Sequence, residues 1–117
     1  MAKAPAKKSV PSLLSKALNM ANMVTVQPDA VVSRTVITKK AGTVTLFAFD
    51  KGQGLSTHSA PYDAMVWILE GEARITIDEK KKLKATVGDM VIMPANIPHA
   101  LHAAQAFKMA LVMIKEK

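Results

Sequence analysis

The period of the apolar positions along the chain changes near residue 23. Before that point apolar side chains recur at the spacing of one helix face, at positions 13, 14, 17 and 18. Pro11 stands at the start of this stretch and Asn19 near its end, which are common helix boundaries. The pattern predicts one short amphipathic helix over residues 11–20.

After residue 23 the pattern is that of extended chain. Short runs of β-branched, aliphatic or aromatic residues alternate with turn residues rich in Gly, Pro, Asp and Lys. The predicted strands cover residues 24–26, 30–38, 43–49, 65–69, 73–77, 83–87, 90–93 and 107–114. The charged residues 78–81 are expected to form a tight hairpin tip. No stretch here is long enough for a crossover helix, so the pattern predicts an antiparallel all-β sandwich or barrel.

Composition sets the size and class of the protein. The 117 residues suffice for one domain, which we place at residues 11–117, and the small, basic residues 1–10 are expected to be a disordered tail. There are no cysteines, and no apolar run reaches the roughly 18 residues that a membrane span needs. The N-terminus has no apolar signal core. We therefore expect a cytoplasmic protein without a membrane partner.

The net charge of +7 suggests a nucleic-acid partner at first sight. The lysines, however, concentrate in the predicted tail and around the predicted hairpin tip at residues 80–84. Aromatic residues make up only 4% of the chain, too few for a surface on which bases stack. A solvated tail and turn explain the charge, and no nucleic-acid partner is expected.

Two stretches of the chain share one layout. Residues 52–71 read GQGLSTHSAPYDAMVWILEG, and residues 88–99 read GDMVIMPANIPH. Each begins with a glycine turn and carries one histidine, His58 or His99, beside an apolar run. In an antiparallel barrel this layout can place two histidines on neighbouring strands that face one cavity.

These two motifs resemble the motif pair of the cupin superfamily. The amino-acid sequence of both is similar to the motifs of the small single-domain bacterial cupins. The resemblance extends from about residue 19 to residue 114. It implies a double-stranded β-helix, that is, an RmlC-like jelly-roll barrel, here with one short N-terminal helix.

The resemblance also implies a set of metal-ligand positions. In metal-binding cupins the first motif supplies two histidines and a third ligand, and the second motif supplies one more histidine. His58 matches the first position and His99 the last, but Ala60 and Ala64 occupy the other two. Alanine has no donor atom, so a divalent ion (Zn, Ni, Fe or Mn) is expected to be weakly held if it binds.

Three further residues are candidate metal ligands. Asp63 is adjacent to Ala64 and His102 is three residues from His99, so in a regular strand each points to the opposite face. An irregularity at Pro61 or a β-bulge would reverse this. Gln53 lies in the first glycine turn. Tyr62 and Met93, together with the two alanines of the motif, are expected to line the cavity.

Three functions remain open from the sequence. The preferred hypothesis is small-molecule binding in the barrel cavity beside an incomplete metal site. The first alternative is a metal-dependent dioxygenase, isomerase or lyase, for which no catalytic residue is assigned. The second is a sensing or interaction dimer without chemistry. Eight methionines and 50% hydrophobic residues predict a homodimer, which joins through sheet faces or exchanges strands near residues 24–38.

Overall fold

The computed structural model describes residues 11–115, so the tail predicted at residues 1–10 lies outside the described residues. Two short 3-10 helices, Pro11–Leu13 and Met20–Met23, precede the first strand. The expected amphipathic α-helix over residues 11–20 is not formed. Ser15 adopts a left-handed φ of 59°, which a right-handed helix cannot contain. Within residues 11–115, no helix is long and apolar enough to cross a membrane.

The rest of the described chain forms nine strands in two antiparallel sheets. The strands are β1 (Val31–Lys39), β2 (Gly42–Phe49), β3 (Gly54–His58), β4 (Asp63–Glu70), β5 (Glu72–Ile77), β6 (Lys81–Thr86), β7 (Met90–Met93), β8 (His99–His102) and β9 (Phe107–Ile114). One sheet has the order β1-β2-β9-β4-β7 and the other the order β3-β8-β5-β6. The predicted all-β sandwich is confirmed.

Three strand assignments differ from the prediction. Residues 24–26 form no strand; β3 and β8 are strands that the apolar pattern did not show. Val24 is 3% exposed because it packs on the outer face of the five-stranded sheet, against Leu46, Ala48 and Ala110. An extended segment that lies across a sheet face is apolar like a strand, yet it joins no ladder.

The main core fills the space between the two sheets. Phe107 in β9 stacks on Phe49 in β2, with 4.4 Å between ring centroids, and both are fully buried. Ile68 in β4 and Ile75 in β5 contribute to this core from opposite sheets. Alternate residues of each strand therefore face inward, which also decides which side chains can reach a cavity between the sheets.

The turns at both ends of β5 have clear local causes. Asp78 and Glu79 both have positive φ angles, and the Lys80 N–H donates to the carbonyl oxygen of Ile77. These three residues, 78–80, form the tight turn that joins β5 to β6 as predicted. Gly71, between β4 and β5, has a φ of 77°. A Cβ atom at this position would meet the carbonyl oxygen of Ala106 and the side chain of Phe107.

Candidate functional site

A cavity of about 190 Å³ lies between the two sheets at the end formed by the β3–β4 loop. Sheet strands supply most of its wall, and apolar side chains predominate. The lining residues are Leu55, His58, Ala60, Tyr62, Ala64, Met93, His99, Leu101, Met109, Leu111 and Met113. The two motif histidines are thus polar groups in a mainly apolar enclosure.

His58 and His99 are direct partners across the β3–β8 ladder. The ladder also pairs Leu55 with Leu101, so β3 advances three residues while β8 advances two. This one-residue bulge brings His58 to the same face as Leu55, although residues three apart in a regular strand face opposite sides. The bulge therefore aligns both histidines with the cavity.

The two rings differ in burial. His99 is 5% exposed because β8 lies between β3 and β5, whereas His58, at the end of β3, is exposed at the rim of the cavity. The ring centroids are 4.5 Å apart and the planes meet at 70°, an edge-to-face contact. The pair thus extends from the rim into the cavity wall.

Both rings have the same hydrogen-bond arrangement. His58 Nδ1 lies 2.7 Å from the carbonyl oxygen of Ser56, and His99 Nδ1 lies 3.3 Å from that of Ile97. A carbonyl oxygen only accepts, so each Nδ1 carries the proton and donates it. In the neutral ring, Nε2 then has a lone pair with which it can accept a hydrogen bond or bind a metal ion.

Burial of His99 lowers its pKa below the usual 6.5. The nearby His58 lowers the pKa further, and the hydrogen bond to Ile97 opposes both effects. The neutral form of His99, with its Nε2 acceptor, is therefore favoured at neutral pH.

The other candidate ligands lie away from the cavity wall. Asp63 points to the opposite face of β4 from Ala64, and its Oδ1 accepts a hydrogen bond of 2.9 Å from the Ala95 N–H. His102 is exposed on the outer face of β8. The Gln53 backbone pairs with Asp50 and Ala103, and its side chain is not part of the lining.

The structure places Ala60, Tyr62, Ala64 and Met93 in the cavity wall. It adds residues that sequence reasoning did not assign: Leu55, Leu101, Met109, Leu111 and Met113. The three β9 residues alternate within a run predicted as a strand, so their shared face could have been inferred. The place of Leu55 in the cavity wall could not have been inferred, because the face it shares with His58 depends on the bulge.

The donor atoms around the histidine pair do not fit a metal site made by the protein alone. A stable zinc site uses three or four protein ligands, and among residues 11–115 no group of three His, Cys, Asp or Glu side chains is placed to hold an ion. The positions that could complete such a site carry Ala60 and Ala64. Among the lining residues that the structure describes, His58 and His99 are the only His, Cys, Asp or Glu side chains.

Comparison with known proteins agrees with this fold. The model of the cupin domain family matches residues 45–115. A conserved protein of unknown function from Streptococcus pyogenes is 43% identical, with a TM-score of 0.83 over 88% of this chain and 90% of the other. A cupin superfamily protein from Desulfitobacterium hafniense is 26% identical, with a TM-score of 0.82 over 87% and 93% of the two chains.

A third similar structure is a cupin 2 conserved barrel domain protein from Leptotrichia buccalis. It is 36% identical, with a TM-score of 0.81, and the match covers 84% of this chain but 47% of the longer one. Proteins with curated descriptions gave no significant match. The family match over more than half of the chain, together with the two-sheet fold and the paired motif histidines, shows that this protein belongs to the cupin family as a small bacterial-type cupin domain.

Proposed function

We propose that the cavity binds a small molecule with a mainly apolar body and at least one hydrogen-bond donor. The observation that carries this proposal is the His58–His99 pair, whose Nδ1–H groups are both bound to backbone carbonyls. Each neutral ring then offers an Nε2 acceptor and no further donor. A hydroxyl or amino group of a ligand satisfies such an acceptor.

The size and lining of the cavity define the rest of the ligand. A cavity of about 190 Å³ exceeds the roughly 150 Å³ that accommodates benzene in an engineered protein cavity, so a ligand of about six to ten non-hydrogen atoms fits. Leucine and methionine side chains surround it, and methionine adapts to ligand shape. Phenols and short branched alcohols match this description.

The methionines also provide the test. Met93, Met109 and Met113 line the cavity, whereas Met90 lies on the outer surface. Phenol titrated into methyl-labelled protein should shift the first three methyl resonances and leave Met90 unchanged. Toluene, which lacks the hydroxyl group, should bind about tenfold or more weakly, because it would exclude water from the Nε2 acceptors without forming a hydrogen bond to them.

A His99→Leu variant completes this experiment. It should reduce the preference for phenol over toluene while it retains binding of toluene, because one of the two Nε2 acceptors is lost and the apolar lining is kept. If neither compound shifts any cavity methyl group at millimolar concentration, the cavity does not bind ligands of this class, and the non-catalytic interaction module becomes the better hypothesis.

The alternative is a metal-dependent enzyme. The shared histidine arrangement supports it, because a metal-bound imidazole typically donates its other N–H to a carbonyl or carboxylate. The missing protein ligands argue against it. Elemental analysis of untagged protein separates the two hypotheses: one equivalent of zinc, nickel, iron or manganese per chain would favour the enzyme.

A further inference from the structure

The outer face of the four-stranded sheet carries a row of basic side chains. In β5, Ala73 and Ile75 are buried in the core, so Arg74 between them points outward. The strand register places Arg74 directly opposite Lys84 in β6 on one side and opposite His102 in β8 on the other. All three side chains are exposed. Three basic groups therefore lie side by side across three adjacent strands.

The fold by itself does not explain this row. Like charges that lie directly opposite each other on neighbouring strands destabilise a sheet. Lysines on the edge strand β6 have an ordinary explanation, because charges on a sheet edge prevent it from pairing with other chains. That explanation does not extend to Arg74, since β5 is an inner strand between β8 and β6. Its Nε donates a hydrogen bond of 2.9 Å to Glu72, which leaves the Nη groups for a ligand.

A depression of about 210 Å³ lies on this face between β5 and β6. Its polar side chains are Arg74, Thr76, Lys82 and Lys84. Arg74 pairs with Lys84 and Thr76 pairs with Lys82, so the four residues stand at the corners of a rectangle. Its sides are about 4.8 Å between the strands and about 6.7 Å along them. Three corners thus carry a cation, and the fourth carries a hydroxyl group.

We propose that this depression binds a small multivalent oxyanion such as a diphosphate. Lysine and arginine side chains only donate hydrogen bonds, and the hydroxyl group of Thr76 can donate one as well, so all four corners can donate to one ligand. The planar guanidinium of Arg74 suits two oxygens of one phosphate group, and the flexible lysines act as point charges. The bound anion would also remove the repulsion between Arg74 and Lys84.

This site is separate from the cavity of the histidine pair. Ile75 and Leu83 point from the same two strands toward the core, whereas the depression lies on the opposite side of the sheet. The two sites share no lining residue. Binding of an oxyanion here therefore does not depend on the function proposed for the cavity.

Pyrophosphate titrated into labelled protein tests the proposal by NMR. The amide resonances of residues 74–76 and 82–84 should shift at millimolar concentration, and sodium chloride at equal ionic strength should not shift them in the same way. The methyl resonances of Met93, Met109 and Met113 in the cavity should stay unchanged. The absence of amide shifts at millimolar pyrophosphate overturns the proposal. Amide shifts caused by a short oligonucleotide but not by pyrophosphate would identify a nucleic acid as the occupant, and would overturn it too.

A matched pair of double variants separates this site from general attraction to a basic protein. Lys82→Gln/Lys84→Gln removes two corners of the rectangle and should weaken pyrophosphate binding about tenfold. Lys80→Gln/Lys81→Gln removes the same charge from the same hairpin, but Lys80 lies in the turn and Lys81 pairs with Ile77 on the other face of the sheet. It should weaken binding less than about twofold, through long-range attraction that salt screens. Equal weakening by both variants overturns the proposal.

The stability of a single variant separates a binding role from a role in folding. Without ligand, Lys84→Gln relieves the repulsion from Arg74, so its thermal midpoint of unfolding should equal or exceed that of the wild type. Pyrophosphate should raise the midpoint of the wild type more than that of the variant, because a ligand of the folded state stabilises it according to its affinity. A lower midpoint of the ligand-free variant would show that Lys84 supports the fold, and would overturn the proposal.

Discussion

His58, the last residue of β3, lies directly opposite His99, the first residue of β8, and their rings are in edge-to-face contact. The contact depends on one extra residue in β3. In a regular ladder Thr57 would oppose His99, and His58 would face outward. One of the two histidines of the cavity wall therefore reaches the cavity because of a bulge and not because of strand alternation.

An exchange of two neighbouring residues tests the bulge. In the double variant Thr57→His/His58→Thr, the histidine should lie outside the cavity, because Thr57 is exposed and is not a lining residue. The pKa of His99 should rise, since the charge at His58 lowers it in the native protein. NMR titration of His99 measures this change. An unchanged His99 pKa would mean that β3 shifts its register to restore the pair.

The stability of the protein should fall in mild acid. The pKa of His99 is lowered in the folded protein, so below about pH 6.5 the unfolded chain binds a proton that the folded chain does not. The free energy of unfolding should decrease by up to about 1.4 kcal/mol for each pH unit that separates the two pKa values. Above pH 6.5 this contribution should be constant.

Denaturant unfolding at several pH values measures this effect. The His99→Gln variant serves as the control, because glutamine does not titrate. Relative to the variant, the wild type should lose unfolding free energy as the pH decreases from 7.5 to 5. A difference that stays constant over this range would contradict the lowered pKa.

Two substitutions should build a metal site in the cavity wall. Ala60→His and Ala64→Glu add donor atoms at two lining positions beside the existing histidine pair. The double variant should retain close to one equivalent of zinc after dialysis, and zinc should raise its thermal midpoint, since an ion that binds only the folded state stabilises it. Ser59→His is a suitable control, because residue 59 does not line the cavity. A full equivalent of metal in the unmodified protein would show that the site is already complete.

Two glycines with similar backbone conformations should tolerate alanine very differently. Gly71 and Gly88 have φ angles of 77° and 93°, and an added Cβ atom at Gly88 meets no atom within 4 Å. Gly88→Ala should therefore lower the free energy of unfolding only by the strain of a left-handed alanine, about 1–2 kcal/mol. Gly71→Ala should cost at least about 1 kcal/mol more, because the new methyl group clashes with Ala106 and Phe107. Equal losses of unfolding free energy in the two variants, measured with denaturant, would show that the β4–β5 turn relaxes freely.

Local patterns in the sequence predicted most of the strands of this fold. Strand alternation and turn residues act over two to four positions, so strands such as β2, β5 and β9 and the hairpin at Asp78 and Glu79 were predictable. The same patterns identified His58 and His99. They failed at residues 11–26, where apolar spacing at Leu13 and Leu14 resembles a helix, but a left-handed Ser15 breaks it.

Only the tertiary structure decided which side chains share the cavity and which surface remains apolar. The direction in which His58 points depends on the pairing of β3 with β8, a contact between residues about forty positions apart, and a single bulge reverses it. Whether Trp67 is covered depends on how far the segment of residues 20–26 reaches across the sheet. Both outcomes follow from packing between distant parts of the chain, which no local spacing of apolar residues encodes.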